Sequence, residues 1–136
     1  MGFDHGAFQV GDIDRAVDFY VGTLGFTLEM QRENREVGEA MALVTLDGAT
    51  IELIQDLKCT GFAKPRLAEP FCPHLCFSVD DVDMMVDRLR EKGVPIVKGP
   101  LEIAGEEKWV YFADPDNNVL EYITWYHRDA PEPGDR

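Results

Sequence analysis

From His5 to Val10 small or polar residues alternate with apolar ones, the two-residue period of a half-buried strand. Gly11-Asp12 then supplies a turn and a helix N-cap. Beyond it Ile13, Val17, Tyr20 and Leu24 recur at three- and four-residue steps, with Asp14, Arg15 and Asp18 falling largely on the other side. This predicts a strand entering an amphipathic helix that Gly22 and Gly25 terminate. Phe26 to Gln31 reads as the next strand, and the polar Arg32 to Glu39 as a loop or strand margin. Met41 to Leu46 is apolar enough for a buried strand, Asp47-Gly48 is a hairpin turn, and Thr50 to Gln55 is the strand that returns from it. The predicted order is β, α, β, β, β.

Asp56 to Phe71, with Gly61, Pro65, Pro70 and no periodicity, reads as a connection, after which the pattern restarts. Leu75 to Val79 is a strand, Asp80 or Asp81 caps a helix with the face Val82, Met85, Val86 and Leu89, and Gly93 ends it. Val94 to Val97 is a short strand, Gly99 to Glu107 a loop, Trp109 to Ala113 a strand, Asp114 to Asn118 a turn, and Val119 to Thr124 the last strand. The expected organisation is a first βαβββ module over 1–55, a connection over 56–72, a second module over 73–126 and a loosely ordered tail over 127–136. At 136 residues the two modules are halves of one domain, not two independent domains.

Composition narrows the function classes. Thirteen Lys plus Arg against 26 Asp plus Glu give a net charge of −13, which repels a phosphate backbone and an anionic membrane surface, so neither nucleic acid nor a membrane is an expected partner. No apolar run approaches a membrane span, and the N-terminus has no secretory-signal pattern, so a cytoplasmic chain beginning near Met1 is expected. Cys59, Cys72 and Cys76 have no metal-ligand spacing and are expected as free thiols, a Cys59–Cys72 disulfide being the disfavoured alternative.

Aligning the two modules reveals the candidate chemistry. At one offset of 69 residues His5 falls on His74, Phe8 on Phe77, Val10 on Val79, Asp12 on Asp81, Asp14 on Asp83, and Glu52 on Glu121. Strand alternation places Phe8 and Val10, like Phe77 and Val79, on the face that the helix covers, and leaves His5 and His74 on the other. Glu52 sits between Ile51 and Leu53, and Glu121 between Leu120 and Tyr122, so each glutamate also faces away from the helices. Taken singly, each has an ordinary reading: a surface histidine, a satisfied strand histidine, an outward strand carboxylate. Taken together, two imidazoles and two carboxylates are a donor set for a hard or borderline divalent cation. They fill four positions and leave an octahedral ion about two for water or substrate, as a catalytic site requires.

These motifs resemble the vicinal oxygen chelate superfamily, which includes glyoxalase I, methylmalonyl-CoA epimerase, extradiol dioxygenases and the bleomycin- and fosfomycin-resistance proteins. The resemblance runs from Asp4 to Tyr126 and is carried by Asp18-Phe19-Tyr20, Leu24-Gly25-Phe26, Ile51-Glu52-Leu53, Pro73-His74, and Phe112-Ala113-Asp114-Pro115-Asp116 leading to Glu121. It implies an α+β fold in which two tandem βαβββ modules form a cup-shaped mixed sheet with helices outside. It implies His5, Glu52, His74 and Glu121 as ligands of one divalent metal (Ni, Co, Zn, Mn or Fe) and no organic cofactor. The implied reaction is that of a glyoxalase I-type lyase or isomerase, with a carboxylate beside the metal moving a proton and an enediolate or enolate intermediate. Glu121 is then the first choice of base, Glu52 its symmetric counterpart, and Glu36, in a segment resembling the epimerase's extra-acid region, a second base. A small carbonyl substrate, as a thiol or thioester adduct, and a homodimer are the implied partners.

The alternatives are an epimerase-like racemase, an iron-dependent extradiol dioxygenase and a non-catalytic ligand-sequestering protein. Epimerases usually have glutamine where Glu52 stands, and glyoxalase I tends to have an arginine near Gln9 for the glutathione carboxylate. Among other residues, Trp109 and Tyr111 share a strand face but read first as packing, while Lys98, Lys108 and Arg35 read as solvated. Cys76 shares a face with His74, and Asp80, Asp81 and Asp83 read as helix-capping residues.

Overall fold

A computed structural model describes residues 1–67 and 70–127, so the expected tail lies outside the described residues except for His127. The first half comprises β1 (Gly6–Gln9), α1 (Ile13–Val17), β2 (Thr27–Asn34), β3 (Glu39–Leu46) and β4 (Ala49–Asp56). The second comprises β5 (Leu75–Ser78), α2 (Val82–Glu91), β6 (Ile96–Ile103), β7 (Glu107–Ala113) and β8 (Val119–Trp125). Each half forms a four-stranded mixed sheet, ordered β1-β4-β3-β2 and β5-β8-β7-β6. In both, the opening strand runs parallel to the last one, as the intervening helix requires. This is the expected α+β, tandem βαβββ fold.

The chain divides into two compact units, Met1–Ala68 with Ala113–Asn118, and Glu69–Phe112 with Val119–Arg136. In the first unit Asp12 caps α1 by accepting the Arg15 N–H at 2.8 Å. The expected single helix is instead one α-helical segment followed by a π-helical turn over Asp18–Thr23. The wider turn accommodates two consecutive buried aromatics, Phe19 and Tyr20, in edge-on contact at 5.3 Å, with Phe26 edge-on to Tyr20 at 5.7 Å. α1 packs on β3 and β4, where Ala42, Val44, Ile51 and Leu53 are buried. Alternation along β4 therefore turns Glu52 to the other face, opposite Leu43 of β3. The β3–β4 hairpin closes through Asp47 and Gly48, both at positive φ, as a two-residue turn demands. The polar margin after Gln31 continues as strand to Asn34; β2 is an edge strand, exposed along its whole length.

The Asp114–Asn118 turn belongs to this first unit, and buried polar contacts hold it there. Asp114 accepts the Tyr20 hydroxyl at 2.9 Å and the N–H groups of Asp116 and Asn118 at 2.9 Å. Asp116, fully buried, accepts the Gly11 N–H at 3.0 Å and the Arg15 guanidinium at 2.7 Å through the same Oδ1. Asn118 donates to the Gln9 carbonyl at 3.0 Å.

In the second unit Asp81 caps α2 by accepting the Met84 N–H at 3.0 Å, and Gly93, at positive φ, ends it. Val82, Val86 and Leu89 form the buried stripe, against β6 and β8. β6 departs from expectation: it runs to Ile103, through residues read as loop, and β7 starts at Glu107. Its pairing with β7 shifts register between Lys98 and Leu101, around Gly99 at positive φ. That bulge breaks the two-residue alternation, which is why the segment reads as irregular.

Candidate metal and substrate site

The two histidine–glutamate pairs are built identically. His5 directly precedes β1, and two residues on Ala7 is the register partner of Glu52. His74 directly precedes β5, and two residues on Cys76 is the register partner of Glu121. The parallel pairing of first and last strand thus places each imidazole beside its carboxylate. His5 Nε2 lies 3.8 Å from Glu52 Oε2, and His74 Nε2 lies 3.0 Å from Glu121 Oε2.

The other ring nitrogen is also committed in each. His5 Nδ1 is 2.6 Å from Asp4 Oδ2, and His74 Nδ1 is 2.8 Å from the Cys72 carbonyl. Both partners are acceptors, so both Nδ1 atoms carry hydrogen and donate. Each Nε2 then aims a lone pair at a carboxylate oxygen unless a proton or cation stands between them. An outer oxygen that fixes the tautomer and orientation of an imidazole is the usual support of a metal-ligating histidine. The hydrogen bond to Asp4 is the main cause of a raised His5 pKa, opposed by desolvation and reinforced by the charges of Glu52 and Asp4.

The structure brings His5 to Glu52 and His74 to Glu121. Among the described residues no group of three or more His, Cys, Asp or Glu side chains is arranged to hold a metal ion. Glu36 lies in the exposed turn between β2 and β3, its N–H held by the Asn34 side chain at 3.1 Å.

On the second sheet a cavity of about 540 Å³ opens beside Glu121, lined also by Cys76, Glu107, Trp109, Tyr111 and Trp125. Trp109 and Tyr111, read first as packing, are on its wall, because β7 turns Val110 and Phe112 into the core instead. The Tyr111 ring meets His74 edge-on at 5.4 Å. Burial, then the charge of Glu121, raises the Tyr111 pKa, while its hydrogen bond with Trp109 opposes this. Glu121 itself is 8% exposed, so its carboxylate is largely withdrawn from water.

The remaining candidates have structural roles. Lys108 pairs with Asp83 at 2.6 Å, Arg35 with Glu33 at 2.7 Å, and Lys98 lies over the Phe71 ring at 5.9 Å. None of the three cysteines is in a disulfide. Asp4 and the Cys72 carbonyl escape a reading by residue type, since a carboxylate next to a histidine is common and a backbone acceptor has no sequence signature. Among the described residues no helix is long and apolar enough to cross a membrane.

The chain resembles known proteins over most of its length. A lactoylglutathione lyase of Escherichia coli O157:H7 is 30% identical over 122 residues, covering 88% of this chain and 89% of that protein. A probable lactoylglutathione lyase of Vibrio cholerae is 27% identical over 124 residues, covering 88% and 87%. A glyoxalase-family protein from Bacillus cereus superposes with a TM-score of 0.75 at 20% identity, over 92% of this chain and 94% of that one, and so shares the fold. The family model for the Glyoxalase/Bleomycin resistance protein/Dioxygenase superfamily matches residues 2–122, and the chain belongs to that superfamily.

Proposed function

We propose that the protein is a metal-dependent lyase or isomerase of the glyoxalase I type, acting on a small α-oxygenated carbonyl substrate such as a thiol or thioester adduct. The observation that supports it most is the duplicated pair: the same histidine, glutamate, strand register and Nδ1 restraint occur in both modules. His5, Glu52, His74 and Glu121 are the proposed ligands. A divalent cation held by them supplies positive charge where negative charge develops on the carbonyl oxygen.

The residues of the chain do the rest. Glu121 takes the proton from the hydroxyl-bearing carbon next to the carbonyl, the C–H electron pair moves toward the carbonyl oxygen, and the same carboxylate returns the proton to the former carbonyl carbon as the hydroxyl proton passes to the former carbonyl oxygen. Glu52 is the symmetric counterpart, and Glu36, on an exposed turn, is assigned no step. Modules 1–55 and 73–126 contribute one pair each, and we assign the protein to a homodimer.

Metal uptake and proton exchange test the reading together. Stoichiometric binding of Ni²⁺, Co²⁺, Mn²⁺ or Zn²⁺, weakened by Glu52→Gln and by Glu121→Gln, is expected. Solvent deuterium should enter the carbon next to the carbonyl of α-keto or thioester substrates. No stoichiometric metal, or metal binding indifferent to both changes, rejects the proposal; metal binding without exchange marks a sequestering protein instead.

A further inference from the structure

The cavity on the second sheet differs at its two ends. The Tyr126 N–H donates to the Glu106 carbonyl at 2.9 Å, and the Asp114 N–H donates to the Asn118 carbonyl at 3.0 Å. These bonds lie just beyond opposite ends of β7 and β8 and agree on one antiparallel register, in which Tyr111 faces Glu121 and Glu107 faces Trp125. Trp109 stands between Glu107 and Tyr111 on the same strand face. At about 3.3 Å per residue, Trp125 lies ~13 Å along the strand from Glu121. One end of the cavity therefore holds the proposed chemistry of Glu121, Tyr111 and His74. The other holds the Glu107 carboxylate with two indole rings.

Among the described residues no lysine or arginine lines this cavity. Lys108, the neighbour of both Glu107 and Trp109, points to the opposite face and is taken up by Asp83 at 2.6 Å. The charges that the described residues present to a ligand are two carboxylates, within a chain of net charge −13. Such a wall repels an anionic tail. A carboxylate beside indole faces attracts a cation electrostatically, through its own charge and through the ring quadrupoles.

We infer that the substrate carries an ammonium or guanidinium group remote from its carbonyl, and that this group seats over Trp109 and Trp125 against Glu107. The inference rests on the reading of this cavity as the substrate site, and it predicts a cationic substrate where a glutathione adduct would bring carboxylates.

Trp109 and Trp125 are the two tryptophans of the chain, so intrinsic fluorescence reports on this cavity directly. The full-length protein, with and without added Zn²⁺, is titrated at low salt with benzyltrimethylammonium and, separately, with benzenesulfonate. The expected result is saturable quenching by the cation, with affinity about tenfold above that of the anion and lowered about tenfold by the isosteric Glu107→Gln. Trp125→Leu, which keeps Trp109 as reporter, should weaken the cation too. Equal or tighter binding of benzenesulfonate, no saturable cation binding, or cation binding indifferent to Glu107→Gln overturns the inference. Calorimetric metal uptake on the same preparation reports on the metal site independently, so loss of the cation subsite and loss of the metal reading are separable outcomes.

Discussion

His74 Nε2 stands 3.0 Å from Glu121 Oε2 while Nδ1 of the same ring is bound to the Cys72 carbonyl at 2.8 Å. The ring cannot rotate away from the carboxylate without losing the Cys72 bond, so Nε2 and the carboxylate oxygen are preset to share a cation. Glu121→Gln keeps the shape and removes the charge. It should lower divalent-metal affinity by at least about tenfold and slow substrate proton exchange by roughly 10²- to 10⁴-fold. Calorimetry and deuterium incorporation measure the two effects separately.

Asp4 does for His5 what the Cys72 carbonyl does for His74, but with a side chain that can be removed. Asp4→Ala leaves His5 and Glu52 in place and frees the ring to turn. Metal affinity should fall by about 10- to 100-fold, the usual effect of losing an outer-shell partner. An unchanged affinity would show that the 2.6 Å contact does not orient a ligand.

Most of this architecture is legible in the sequence for a physical reason. Each module is built from local signals, such as Asp12 and Asp81 as caps and Asp47-Gly48 as a hairpin, and strand alternation then assigns Glu52 and Glu121 to the face away from the helices. What escapes is non-local. The wide turn at Asp18–Thr23 and the bulge near Gly99 break the period that a sequence reading depends on. The attachment of Asp114 and Asp116 to Tyr20 and Arg15 joins residues 94 and 101 positions apart, and no spacing rule reaches that far. Trp109 and Tyr111 were visible as a pair on one face, yet only the burial of Val110 and Phe112 shows that this face is the cavity wall.

Arg15 pairs with the buried Asp116 carboxylate at 2.7 Å, and among the described residues the Asp116 Oδ2 atom has no hydrogen-bond partner. Among the described residues, Arg15→Ala leaves that charge with the Gly11 N–H alone. Because Arg15 is itself 54% exposed, the cost should fall below that of a fully buried pair, at about 2–3 kcal/mol. Urea denaturation at neutral pH measures it.

Asp114 gives the stability a pH dependence. Burial raises its pKa above 3.8, against hydrogen bonds from Asn118, Tyr20 and Asp116 that favour the charged form. With a folded-state value above the unfolded one, its contribution is fully present below pH 3.8 and is lost as pH rises through the folded value. Asp114→Asn does not titrate. The variant loses the acceptor for Tyr20 and should be less stable by about 1–3 kcal/mol at low pH. The gap to the wild type should narrow as pH rises from 3.8 through the folded value. Urea midpoints at a series of pH values test this; a gap that widens with pH contradicts the assignment.

Mixing two inactive variants tests where the ligand pairs meet. His5→Ala damages the first pair and His74→Ala the second, so each protein alone should lose metal binding and proton exchange. In a homodimer whose sites each combine the first pair of one copy with the second pair of the other, a mixed dimer carries one doubly damaged site and one intact site. Random reassortment makes half of the dimers mixed, so about a quarter of the wild-type activity should return after the two variants are unfolded and refolded together. Sites formed within single chains would regain nothing, because every copy would keep its own damaged pair. Sedimentation of the wild type at twice the 15.4 kDa chain mass is the accompanying expectation.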